Sequence, residues 1–528
     1  MAMTCSFNFS HNNIFDTINE TIYQFSLKTH HNVGVSNEDL CKTPIYTYTN
    51  ILPGQKLLIP PCIKLIIPAG YTITNYGTVS IYGSLEIYGT LTNSVGGQVL
   101  IYDSGSITNY SNNTFNNNGT VINGTVPNSG AIIINYGTIN SIETTGNITN
   151  YGTIRSQGPF KIYSGEKITN YGFMDISDKT FTNSGTITGS SGSINIDTSG
   201  SILNSGTFNI NSDCSFNNSG VFTNAVDASF TNYSQNFYTR KLFDNCGNLT
   251  NSGTITVKSL TSNPVIFSTL KIQSDGSLTN SGTISLTIFD SDGDSKNAVI
   301  NNYSLHFINT NTGKIKSFPT CLINNFGTIY NNAGEFGDNN AFLNFYNGNN
   351  EQTSAKFYNY KGSLVSDRGI YNYGTIYNGY NGSNSTTNSS ITANSNGLIN
   401  YSGTIYNYSE NTITANHIFD NQTNATIQNC GILTINNSNP DVISNNSGII
   451  YNSSGTFNIN KKSTNNGSIY NYNSGIININ SGITLTNNGS IVNADGDCGT
   501  GNINYSADAY ISGNAIEYGC PNPIPSPL

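Results

Sequence analysis

The chain has 528 residues, a net charge of −9 and only 9% charged residues. With a pI near 5.0 and no basic patch, it offers no footprint for nucleic acid. Thirty-three Tyr and 25 Phe exclude the charged, aromatic-poor kind of disorder, and no apolar run approaches the ~18 residues of a membrane-spanning helix. Asparagine alone supplies 88 residues, one in six. Asn, Gly, Ser and Thr favour turns, while Ile, Tyr, Thr and Phe favour strands. The mixture predicts many short strands joined by tight corners.

Residues 1–50 lack the repeat that fills the rest of the chain, and read as an N-terminal head or attachment segment. They hold His11, His30 and His31; the adjacent pair reads as exposed polar side chains rather than metal ligands. Met1-Ala2-Met3-Thr4-Cys5-Ser6 has no basic stretch leading into an apolar one, so it does not read as a secretory signal. Residues 51–72 read as a capping coil, whose Pro53, Pro60, Pro61 and Pro68 suit an edge that needs no further strand partner.

From 73 to 497 a motif recurs: apolar, Thr, Asn, Tyr or Ser, Gly, Thr, apolar. Ile168-Thr169-Asn170-Tyr171-Gly172 and Leu249-Thr250-Asn251-Ser252-Gly253 are two copies. Gly77, Gly83 and Gly89 stand six apart, and later gaps between Asn-x-Gly glycines are 15, 20, 13, 21 and 14. A unit of about six or seven residues is one short strand plus a corner, and three sides make a coil of about 20 residues. This predicts an all-β fold, an elongated three-sided parallel β-solenoid; some 20 coils give a rod on the order of 100 Å. Inward Ile, Val, Leu and Phe form the core. Gly is expected to supply corner conformations closed to other residues, and Asn to turn the chain and ladder from coil to coil at one corner. The Tyr after Asn is expected to face outward in a stripe of stacked rings. Insertions are expected around 285–397, and 498–528 reads as a C-terminal cap with a Pro-rich tail.

The nine cysteines show no C-x₂-C spacing, which argues against a zinc thiolate site and leaves end-cap disulfides or free thiols. Cys246 and Cys430 occupy the corner slot that Ser or Tyr fills elsewhere. Asp290, Asp292 and Asp294 alternate on one tight loop, the form that converges oxygen ligands on Ca²⁺; Asn493-Ala494-Asp495-Gly496-Asp497 repeats it. The simpler reading of both is a polar turn. No cofactor is called for. Asn118, Asn123, Asn147 and Asn248 head Asn-x-Ser/Thr sequons and are candidate glycan acceptors; Asn217 and Asn232 head two more. Carboxylates number only 29 and none stands in a repeated pair beside a His or Arg. A β-helical glycan hydrolase or lyase is therefore the outside reading, and the chain is expected not to be an enzyme.

The repeats Asn-Tyr-Gly-Thr-Ile and Asn-Ser-Gly-Thr-Ile, set in a chain heavy in Asn, Ile and Tyr, resemble the Asn-rich repeat proteins of Mimivirus-like giant viruses. The resemblance implies a structural, glycosylated component of a virion surface or fibril layer, assembled in the host cytoplasm. Its partners would be further copies or other virion surface proteins. Virus-encoded thiol oxidation would permit disulfides. Bacterial adhesins carry similar repeats, so an extracellular, cell-surface adhesin or carbohydrate-binding solenoid is the alternative.

Overall fold

The computed structural model describes residues 50–520, apart from stretches of which the longest are 124–131, 235–241, 260–267, 289–297, 380–387 and 437–443. The head and the Pro-rich tail lie outside the described residues. What is described is all-β: strands pair in parallel with those one coil before and after, and wind into a three-sided solenoid. The chain divides into two units, 1–154 and 155–528.

In the first unit, Lys56–Ile59, Thr78–Ile81 and Gln98–Ile101 stack on face 1 in strict register. Lys64–Ile67, Ser84–Ile87 and Ser106–Asn109 stack on face 2, and Thr72–Asn75 with Thr90–Asn93 on face 3. A four-residue strand turns positions two and four inward. Ser84–Ile87 thus buries Leu85 and Ile87 and shows Ser84 and Glu86 outward. Thr78, Ser84 and Thr90 begin successive strands, so the six-residue quantum is four residues of strand and two of corner. The prolines at 53, 60, 61 and 68 stand between the strands of the first described coil, not within them. Their fixed φ suits a corner, where no ladder needs an N–H.

The second unit repeats this plan through Ile516–Tyr518. Thr186–Ile196 and Thr207–Asn218 bend across faces 2 and 3 without ending, the register slipping between Gly189 and Ser191. The core there is aromatic: Phe208, Phe216, Phe222 and Phe230 are fully buried, with ring centroids 5.2–5.8 Å apart. Described strands within 298–378, where insertions were expected, hold register, with Ile300, Ile323, Phe345 and Ile370 stacked in turn. The segment expected as the C-terminal cap is itself a coil: Asn502–Tyr505, Tyr510–Gly513 and Ile516–Tyr518 each pair with the coil before. The uneven gaps of the sequence are therefore corners of unequal length between faces of constant register.

Glycine's role differs from the expectation. Gly185, Gly467 and Gly489, all in Asn-x-Gly corners, are not among the positive-φ residues. They are glycine because a Cβ would stand 2.4, 2.1 and 2.0 Å from a carbonyl oxygen of the preceding coil. At other corners, such as Gly54 and Gly482 (82° and 71°), there is open space and only a positive φ, which Asp227 and Glu410 adopt as well at 64° and 65°; at Gly192 and Gly397 positive φ and a close carbonyl coincide.

Candidate functional surfaces: the asparagine ladders and the tyrosine stripe

The fourth strand position decides how a corner is closed. When it is Ile or Ala the core simply continues. When it is Asn, the side chain points inward and is buried, as at Asn183, Asn251 and Asn378, each 0% exposed. Burying an amide in an apolar core is costly unless every polar atom finds a partner. Stacking provides them. On face 1 of the second unit, Nδ2 of each Asn donates to Oδ1 of the Asn one coil on, from Asn183 to Asn204 (2.7 Å) through to Asn471 and Asn493 (2.8 Å). Fourteen residues are linked without a break, by way of Asn224, Asn251, Asn280, Asn309 and Asn331, then Asn359, Asn378, Asn407, Asn429 and Asn452. Coil lengths along this column range from 19 to 29 residues.

The second amide hydrogen is also used. Asn183 donates to the carbonyl of Thr207 in the next coil (3.1 Å), and its Oδ1 accepts the N–H of Gly185 at 3.2 Å. Face 3 carries a parallel ladder from Asn302 through Asn325, Asn347, Asn372, Asn400, Asn421, Asn446 and Asn465 to Asn487. The first unit has shorter ones, Asn75–Asn93 on face 3 and Asn109–Asn135–Asn150 on face 2. So asparagine ladders as expected, but at two corners of most coils in the second unit, and from inside the coil. Among the described residues it does not work through left-handed backbone: of those with positive φ other than glycine, Asn473 alone is asparagine.

The longest stacked tyrosine column lies one residue before Asn, not after it. Tyr330, Tyr358, Tyr377 and Tyr406 occupy the outward third position of face 1. Their rings are 5.0, 4.6 and 5.1 Å apart and within 8° of parallel. Gln428 interrupts the column and Tyr451 with Tyr470 resume it at 5.1 Å. The motif Thr375-Ile376-Tyr377-Asn378, repeated as Thr404-Ile405-Tyr406-Asn407, held that signal in the sequence. Of the tyrosines after Asn, Tyr76, Tyr151 and Tyr171 do face outward, 42%, 46% and 41% exposed. Corner tyrosines stack where adjacent coils both supply one: Tyr82 on Tyr102, Tyr88 on Tyr110, and Tyr373 on Tyr401. Burial and the neighbouring Tyr401 push Tyr373 up to about 12. Tyr110 also rises to about 12, chiefly through its hydrogen bond with Tyr88.

Asp290, Asp292 and Asp294 lie outside the described residues, as do Asp495 and Asp497. Asn493, which opens the second acidic loop, closes the face 1 ladder on the carbonyl of Gly501 at 2.9 Å. Among the described residues no three His, Cys, Asp or Glu side chains group as metal ligands would. Asn118 is outside the described residues, and Asn123 ends a face 1 strand whose side chain is not described. Asn147 and Asn248 are exposed; Asn248 accepts the Ser277 hydroxyl at 2.8 Å. Asn232 is 2% exposed and closed to a glycan in the folded chain. Cys520 is disulfide-bonded. Cys246 and Cys430 are free, and burial pushes both thiols up. Cys214 is a core thiol, and Gly189 leaves it room, since a Cβ there would stand 2.6 Å from Sγ.

One buried polar cluster left no trace in the pattern. On face 3, Ser444 and Ser463 stack in the core column between Phe419 and Leu485, beside a void of about 10 Å³. The Ser444 hydroxyl is buried without a partner, and Ser463 donates to the carbonyl of Lys461. Lys461 is itself 0% exposed and donates Nζ to the carbonyl of His417 at 2.5 Å.

Neither a family model nor a curated protein sequence matches this chain.

Proposed function

We propose that the chain is a structural repeat protein whose working property is the stiffness of its coils, in a virion surface or fibril layer. The observation that carries this reading is the unbroken fourteen-residue ladder of buried asparagines on face 1. A ladder fixes register and closes the core against water, yet presents nothing to a substrate. The low charge fits a body that packs laterally against copies of itself. The resemblance of its Asn-Tyr-Gly-Thr-Ile repeats to those of giant-virus proteins supplies the setting, with Asn147 and Asn248 as exposed glycan acceptors.

The tyrosine stripe favours a second reading, recognition of a partner glycan. Against it, the ring faces that would stack on a sugar are already stacked on one another, at 4.6–5.1 Å. Only ring edges and hydroxyls remain for binding. Gold-labelled antibody against the chain, applied to purified virions and imaged in negative stain, tests the first reading. Label along surface fibrils supports it. Unlabelled virions, together with a soluble monomer that retains glycans on an array, would replace it with the second.

A further inference from the structure

Three tyrosine pairs stack at coil corners. Tyr82 and Tyr102 have ring centroids 4.0 Å apart at 5°, Tyr88 and Tyr110 4.1 Å at 11°, and Tyr373 and Tyr401 4.5 Å at 10°. In each pair one ring acts on the other's hydroxyl: Tyr102 raises Tyr82, Tyr88 raises Tyr110 and Tyr401 raises Tyr373. Near-parallel rings in face-to-face contact bring the carbons ortho to the hydroxyls close to those of the partner ring. The pairs join residues 20, 22 and 28 apart in sequence, as 102 − 82, 110 − 88 and 401 − 373 show, each one coil apart. All but Tyr88 are half-buried, and Tyr88 is 37% exposed, so an oxidant can reach them.

We propose that these pairs are sites of oxidative cross-linking, each joining one coil to the next as a dityrosine. The oxidant is hydrogen peroxide acting through a haem peroxidase. Each phenol gives up one electron and its hydroxyl proton. The two phenoxyl radicals pair to form a carbon–carbon bond between ortho positions. The hydrogen on each of those carbons then moves to the ring oxygen and restores both phenols. Two hydrogen atoms leave in all, and the peroxide accepts them and becomes two waters. Holding the rings in contact makes the coupling intramolecular, with the advantage that proximity gives any such step. The bond would staple consecutive coils covalently where only hydrogen bonds and packing now join them, whether the chain serves as a scaffold or binds a partner.

The test treats the dilute full-length chain with a haem peroxidase and peroxide, then maps dityrosine-linked peptides by mass spectrometry. The proposal expects links 82–102, 88–110 and 373–401, with loss of this selectivity in urea. Tyr102→Phe keeps the stacked ring but removes a phenol. It should abolish the 82–102 link and leave the other two. Tyr76, Tyr505, Tyr510 and Tyr518 are more exposed, at 42%, 48%, 55% and 67%, yet sit in none of the stacked pairs. Dityrosine concentrated on those four, or formed only between chains, overturns the proposal. So does its absence from a chain that protease resistance shows to be folded. If Tyr102→Phe fails to fold, the wild-type map decides alone.

Discussion

Asn407 sits in the middle of the face 1 ladder, and replacing it by Asp changes one atom type and nothing in shape. Its Nδ2 donates to Oδ1 of Asn429 (2.7 Å), the carbonyl of Ile432 (3.1 Å) and the carbonyl of Asn411 (3.3 Å). Its Oδ1 accepts from Asn378 at 2.8 Å. Asn407→Asp keeps the acceptor and turns the donor into a carboxylate oxygen facing three other oxygens. With the side chain 1% exposed, that charge lies buried and unpaired, at a cost of about 3–5 kcal/mol at neutral pH. Facing oxygens must hold the folded-state carboxyl above its unfolded pKa of about 3.9. A raised carboxyl pKa means the loss is complete above the folded value and vanishes below the unfolded one. Near pH 3 the protonated acid donates to Asn429 and accepts from Asn378, and the cost falls to about 1–2 kcal/mol. Asn407→Leu breaks four bonds, about 1 kcal/mol each, and recovers part of that through its apolar surface. Its loss of about 2–3 kcal/mol should not depend on pH. The two variants therefore change places between pH 7 and pH 3. Because coils can open separately, hydrogen exchange at 404–432 is the sharper measurement, with thermal denaturation beside it. An Asn407→Asp chain within about 1 kcal/mol of wild type at pH 7 would show that the ladder does not stabilise the coils as argued.

Other parts of the fold make their own predictions. Ser444→Val removes a buried hydroxyl that has no partner and fills the adjoining void, so it should stabilise by about 1–2 kcal/mol in thermal melts; a lower melting temperature would mean the void cannot take the methyl groups. Burial lowers Lys461 below its ordinary 10.5. A lowered lysine costs stability wherever the unfolded chain is protonated, and the cost fades as pH rises toward 10.5. Lys461→Met should therefore melt higher than wild type at pH 7, by about 1 kcal/mol, with the gap narrowing at pH 10; an unchanged gap would clear the ammonium of blame. Gly467→Ala forces a Cβ against the Gly448 carbonyl and should cost about 3 kcal/mol or more. Gly482→Ala meets open space and pays only for its positive φ, about 1–2 kcal/mol. Equal losses in urea denaturation would refute the distinction between these two corners.

The architecture was legible because a four-residue strand with apolar residues at positions two and four, and a two-residue corner, leaves a six-residue mark wherever corners are short, as at Gly77, Gly83 and Gly89. Irregular gaps concealed less than they suggested, since only the corners vary while the faces keep register. The asparagine ladder was expected, but not that its side chains would point inward, and the reason is physical. An Asn followed by Gly signals a turn, and an amide alone belongs in water. Only stacking, which brings Asn251 against Asn280 at 2.8 Å although they are 29 residues apart, makes its burial cheap. The stripe through Tyr377 and Tyr406 could have been found, because Thr-Ile-Tyr-Asn recurs. Ser444, Ser463 and Lys461 could not, because they break the pattern and appear once. Nothing in the described residues bears on the acidic loop at Asp290, Asp292 and Asp294.

The ladders also have a direction, and it bears on how the array ends. Every buried amide in the long columns donates toward the C-terminus. Half-buried corner amides of some of the same coils donate the other way: Asn416 to Asn394, Asn436 to Asn416, and Asn460 to Asn436, at 2.7–2.8 Å. Where they run side by side, the two sets of dipoles oppose one another. What remains is the last donor of each buried ladder, which has no further asparagine to meet. Both are met by backbone: Asn493 by the carbonyl of Gly501, and Asn487 by that of Asn514, each at 2.9 Å. At the ladder position after Asn487 the chain places Gly513. The last coil therefore ends the two columns by placing no asparagine in the next ladder position, Tyr518 after Asn493 and Gly513 after Asn487, and the carbonyls of Gly501 and Asn514 satisfy the final donors. Its inward Ile503, Ile511 and Ile516 are only half-buried, as befits a coil covered on one side.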